Sequence, residues 1–185
     1  MKARLAKICP LLPFALILAL ASLPAFAQKQ GFDLEDFYQN PFKDKEIFPQ
    51  FGFDFETLKE NYRDGFRISE EWEENQYESG KKKLRVRFSN EEMTAHYIAS
   101  SNPSFLSFLS LLEIYGDKNT ELKCGIRIGM TEGEITDICG KPSSTYQHEQ
   151  NYELIYYRED YGQVNFSFGN KTKRLTAIYI HYGME

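Results

Sequence analysis

Residues 131–142 spell out a helix marked at both ends and too short to stand alone. Thr131 is the N-cap: its hydroxyl is placed to accept the Glu134 N–H, and the Glu134 carboxylate to accept the Thr131 N–H. Met130 and Ile135 have the spacing of a hydrophobic staple across that cap. Gly140 suits the left-handed position after the last turn, and Pro142 prevents resumption. The predicted helix runs from about 132 to 139. A helix this short is marginal in water, so Ile135, Ile138 and Cys139 need an apolar surface from the rest of the chain.

Period-two segments supply that surface. Val164, Phe166 and Phe168 alternate with Asn165 and Ser167, as a half-buried strand requires. Strands are predicted at 144–148, 152–158, 162–169 and 175–182, with Tyr161-Gly162 as a hairpin turn. The same devices stand 77 positions earlier. Gly52-Phe53-Asp54 matches Gly129-Met130-Thr131, Asp54 is the N-cap, Phe53 and Leu58 form the staple, and Gly65 ends the helix. Strands are then predicted at 72–78, 82–89, 93–99 and 108–115, with a turn at Ser79-Gly80. Residues 84–90 parallel 164–170, and both closing segments end Tyr-Gly. Residues 103–112 fit a helix or a strand equally, and whether the units share one sheet stays open. The expected fold class is α+β, two similar units, each a short helical segment packed on a small antiparallel sheet.

The expected domains are a leader at 1–27, an irregular arm at 28–50 with a turn of helix near Leu34–Tyr38, a first unit at 51–116, a linker at 117–124 and a second unit at 125–185. Lys2, Arg4 and Lys7 precede an apolar run that ends in Ala25-Phe26-Ala27, the pattern of an export signal cleaved before Gln28. No later segment is long and apolar enough to span a membrane, so no stable anchor is expected after cleavage. The expected location is periplasmic or extracellular. Cys124 and Cys139 would then form a disulfide, closing a loop whose entropy contributes about 3 kcal/mol. The formal charge of −5 becomes −8 without the leader, and no basic stripe is concentrated, which argues against nucleic acid.

Gly129, Met130, Thr131, Ile135, Gly140 and Pro142 together resemble the SmpA/OmlA domain of the BamE outer-membrane assembly lipoproteins. The pattern is also similar to the repeats of β-lactamase inhibitory proteins, which pair a helical segment with a small antiparallel sheet. Each matched residue caps or packs a helix, so the resemblance speaks to fold before function. Cys139 stands where the BamE pattern carries an aliphatic residue, and no lipidatable Cys opens the mature chain. A tandem arrangement is closer to the inhibitors, which grip a partner enzyme with exposed sheets. No inhibitor contact residue carries over.

No catalytic constellation emerges. His96, His148 and His181 lie far apart, and if the repeats superpose, His96 and His181 fall in different sheets. Neither they nor the cysteines have metal-ligand spacing, so no metal or cofactor is expected. Glu70, Glu71, Glu73 and Glu74 face Lys81, Lys82, Lys83, Arg85 and Arg87 across the first hairpin as cross-strand charge pairs. Tyrosines cluster between 146 and 182, and Tyr152, Tyr156, Tyr157 and Tyr179 are the candidates for an aromatic binding face. The expected function is an exported, non-catalytic protein-binding module, inhibitor-like or an envelope accessory factor. The alternative is a small extracytoplasmic hydrolase drawing on Cys139 and His148.

Overall fold

A computed structural model describes residues 32–44, 47–50, 55–74, 80–100, 107–158 and 162–183. Helices α1 (Leu34–Gln39) and α2 (Phe55–Tyr62) precede strands β1 (Arg67–Glu74), β2 (Lys82–Ser89), β3 (Met93–Ser100) and β4 (Phe108–Ile114). A 3-10 turn (Lys123–Gly125) and helix α3 (Glu132–Cys139) lead to β5 (Ser144–Gln147), β6 (Asn151–Tyr157), β7 (Gln163–Gly169) and β8 (Leu175–His181). The expected leader, Asp54 cap and Phe53 staple fall outside the described residues, as do Ser79 and Tyr161 of the two turns.

The expected α+β fold of two units, each with its own small sheet, is corrected. All eight strands form one antiparallel sheet in the order β1-β2-β3-β4-β8-β7-β6-β5. Each half is a four-stranded meander, and the halves join where Leu111, Leu112, Glu113 and Ile114 pair with His181, Ile180, Tyr179 and Ile178. Left apart, β4 and β8 would each present an apolar edge with unpaired backbone groups, and pairing satisfies both. Helix among the described residues is confined to three short segments. The correspondence of 84–90 with 164–170 shifts as well. β2 is the second strand of its meander and β7 the third, so the counterpart of β2 is β6.

Register sorts the side chains into two faces. Val86 and Phe88 of β2, Tyr97 of β3, Ile114 of β4, Phe166 of β7 and Ile178 of β8 are fully buried on one of them. The three helices and the N-terminal arm cover that face. Phe37 lies 6.2 Å from Phe166, ring to ring, and Phe48 lies 6.4 Å from both Phe88 and Tyr97. Ile135 of α3 and Leu58 of α2 belong to the same buried cluster. Burying each such side chain contributes about 2 kcal/mol, far more than an eight-residue helix gains from its own hydrogen bonds.

Helix α3 begins as its sequence dictates. The Thr131 N–H donates to Glu134 Oε2 at 2.8 Å, and the Glu134 N–H donates to Thr131 Oγ1 at 3.3 Å. Gly140 ends it at φ 79°, ψ −163°, an extended glycine conformation in place of the left-handed helical one expected. Strand β1 starts five residues earlier than predicted. Its glutamates and Trp72 leave no apolar alternation to read, and pairing with β2 sets its limits. The ambiguous 103–112 segment resolves from Phe108 onward as strand, with Leu109, Leu112 and Ile114 buried and the strand paired between β3 and β8.

Tyr38 fixes the arm to the far end of the sheet. Its ring lies 4.9 Å from that of Tyr182, and the Arg158 guanidinium sits 4.0 Å above its centroid. Gly162 makes this possible, because a Cβ there would lie 2.6 Å from the Tyr38 ring. Gly162→Ala therefore costs about 1–3 kcal/mol through displacement of Tyr38. Chemical denaturation should show a lowered midpoint with little change in slope.

Candidate functional site

The face opposite the helices carries the polar groups; no described helix packs on it, yet Thr94, His96, Asn165 and Ser167 in its middle are buried by their neighbours. Its centre is a belt that crosses the sheet. His96 on β3 meets Glu113 on β4 with Nε2 2.7 Å from Oε1, and the imidazole is 6% exposed. Across the seam Glu113 stands opposite Tyr179 on β8, which stands opposite Asn165 on β7. Asn165 Nδ2 donates to Glu153 Oε2 on β6 at 2.9 Å. Glu153 Oε1 lies 3.5 Å from His148 Nε2, and the Tyr146 ring meets His148 edge-on at 4.5 Å. Two His–Glu pairs, one from each meander, thus flank Tyr179. Two buried atoms in the belt, His96 Nδ1 and Asn165 Oδ1, have no hydrogen-bond partner among the described residues.

Electrostatics follow from this packing. The hydrogen bond from His96 holds the Glu113 carboxyl below the ordinary carboxylate range against the opposing effect of burial. The charges of His96, Arg87 and His181 add to that lowering. Burial pushes the Tyr179 hydroxyl up, reinforced by Glu113 and Glu153. Arg87 is exposed beside this centre, opposite His96 on the next strand. The cross-strand charges read from the sequence meet in part. Glu73 lies 3.0 Å from Arg85 Nε and 3.7 Å from Lys83, while Glu70 turns to Lys59 of α2 at 2.8 Å.

The four candidate tyrosines do not share a face. Tyr152 and Tyr156 point to the helix side. Tyr152 stacks on Phe168 at 5.2 Å and donates to Glu132 at 2.9 Å. Tyr156 is 4% exposed and donates to the Gly140 carbonyl at 2.9 Å. Tyr157 and Tyr179 lie on the open face, Tyr157 being 53% exposed. In Tyr156-Tyr157, period two sends one side chain to each face. His96 and His181, expected in different sheets, share this face and flank Leu111. Sequence reasoning passed over Glu113, Glu153 and Asn165. For Asn165 the signal was alternation with Val164 and Phe166 along β7, whereas Glu113 and Glu153 are polar residues in strands without strict alternation.

The expected disulfide is corrected too: Cys124 and Cys139 are free thiols. Cys124 sits exposed in the 3-10 turn at φ 58°, and Cys139 packs against the core from the last turn of α3. Burial pushes the Cys139 thiol up to about 12, with the neighbouring Cys124 adding to the shift. Cys139 and His148 lie on opposite sides of the sheet, so they do not make a thiolate–imidazole pair. Among the described residues no group of three or more His, Cys, Asp or Glu side chains could hold a metal ion. No described helix is long and apolar enough to cross a membrane. A groove of about 1310 Å³ lies along α1, residues 117–130 and α3, away from the belt. Its pairs Lys123–Asp36 at 2.7 Å and Lys43–Glu121 at 2.6 Å tie the arm to the 117–130 segment.

Two outcomes follow from these environments. A group whose pKa falls on folding adds stability above its unfolded pKa and loses it as pH drops through the folded value. Glu113→Gln should therefore cost about 1 kcal/mol at neutral pH, and the deficit should vanish in acid below the carboxylate range. Urea melts of both proteins at the two pH values measure this. In native protein a thiol reagent such as DTNB should modify Cys124 first. Cys139 should lag and accelerate as pH climbs toward 12.

No family model, no curated protein and no solved structure matches the chain, so the belt and the face that carries it stand on their own geometry.

Proposed function

We propose that the protein is an exported, non-catalytic protein-binding module, inhibitor-like or an envelope accessory factor, which holds its partner on the open face of the sheet. The observation that carries this reading is the one-sided cover. The arm and the three described helices lie on one face, and the other carries polar and aromatic side chains that no described helix covers, with Arg87, Tyr146 and Tyr157 exposed on it. The partner is a folded protein that presents a carboxylate toward Arg87 and apolar or aromatic side chains toward Tyr157 and Tyr146. Arg87 is exposed beside a belt of paired groups, and the two tyrosines are 53% and 57% exposed. Exposed arginine and tyrosine are the side chains that carry binding energy when a partner excludes water from them. The raised thiol of Cys139, far from His148, gives the hydrolase alternative no support.

The test uses mature protein from Gln28 as bait in extracellular or periplasmic extract, followed by titration of the purified partner. Arg87→Glu and Tyr157→Ala should each weaken binding about tenfold or more. Asp137→Lys, on the exposed side of α3, should leave it unchanged. Binding that survives both face substitutions, or the absence of any stoichiometric partner, overturns the reading.

A further inference from the structure

The sheet ends at β1, and this edge is built unlike the other. β5 is four residues long, whereas β1 runs for eight, each paired with β2, without a bulge, proline or glycine. Its outer row of backbone N–H and C=O groups faces away from the sheet, with no strand beyond it among the described residues. Native edges of this length are normally shortened, bulged or covered, since they template pairing with another chain. β1 instead carries Trp72, the only tryptophan of the chain, 57% exposed on the helix side of the strand. An edge made only to repel would not present an indole, the side chain most enriched at binding hot spots.

We propose that the outer edge of β1 takes an extended, basic segment of a partner protein as a ninth strand. Charge selects the partner. Glu73 is compensated by Arg85 and Lys83, and Glu70 by Lys59. Glu71, on the open face opposite Arg85, and Glu74, beside Trp72 on the helix face and opposite Lys82, make no ion pair within 4 Å among the described residues and stay exposed on the edge strand. An incoming strand with lysine or arginine opposite Glu71 and Glu74 and an apolar side chain opposite Trp72 satisfies both faces while its backbone completes the ladder. A second copy of this chain fits poorly, because two β1 strands would bring glutamates against glutamates. This edge is a different surface from the belt, so the proposal stands or falls separately from the open-face reading.

Trp72 provides the readout. The full mature protein is titrated with an octapeptide carrying lysine at its first and fourth positions, valine at its third and threonine elsewhere, which in antiparallel register sets lysine opposite Glu74 and Glu71 and valine opposite Trp72, with Trp72 emission as the signal. The expected result is a saturable blue shift with a Kd of about 100 µM. The same octapeptide, N-methylated at alternate residues, keeps its charges and side chains but loses edge donors, and should bind at least tenfold more weakly. Glu71→Lys and Glu74→Lys, both at exposed positions, should each weaken the unmodified peptide several-fold. Three results overturn the proposal: no saturable change up to about 1 mM peptide, equal binding of the N-methylated peptide, or emission that shifts with protein concentration alone. The second outcome reduces the edge to a charge patch, and the third assigns it to self-association.

Discussion

The pairing of β4 with β8 is the contact on which the rest depends. Each meander alone is a sheet of four short strands with one face to bury and helices too short to cover it. Four residue pairs along the seam turn two marginal sheets into one. The buried clusters of both halves become continuous, from Val86 on β2 to Leu154 on β6. The same seam creates the open face, because it brings Glu113 of one half beside Tyr179 of the other and so draws two His–Glu pairs into one belt.

Cover on the buried side comes from pieces with little structure of their own. The arm contributes Phe37, Tyr38, Phe42 and Phe48, all below 6% exposure, although its only helix has six residues. Rings of this size bury enough area to hold such a segment without regular hydrogen bonding. Its polar ends are tied down one by one. The Leu109 N–H donates to the Gln50 carbonyl at 2.9 Å, and the Tyr97 hydroxyl donates to the Pro49 carbonyl at 2.9 Å. The buried Glu92 does the same for residues 119 and 120, accepting from the Asn119 backbone and side chain and from the Thr120 hydroxyl.

What was legible in the sequence was local. Helix α3 falls at the residues its capping box marks, because Thr131 and Glu134 meet across three positions whatever surrounds them. Strands β2, β3 and β6 to β8 sit within a residue or two of their predicted limits, since alternation is written into each segment. The failures were non-local. Nothing in residues 111–114 or 178–181 announces that they pair with each other, so the sequence points to a small sheet in each unit and leaves open whether the two join. Tyr152, Tyr156, Tyr157 and Tyr179 look like one group along the sequence, though only register across strands decides which face each meets. The cysteines were joined by counting, whereas Cys124 is held outward in its turn and Cys139 is drawn to the core by α3. The belt stayed hidden because its members come from five strands and a loop.

The seam also sets an order of events for the nascent chain. β4 waits in the middle of the sheet for β8, the last described strand to leave the ribosome. Until β8 arrives, the first meander holds Leu112 and Ile114 on a bare margin, with over sixty residues of chain still to come. Non-local closure of this kind is slow, and the species that precede it are prone to clump. Completion of the sheet thus waits for β8 to emerge, and a chain cut short before Leu175 would be an adhesive half.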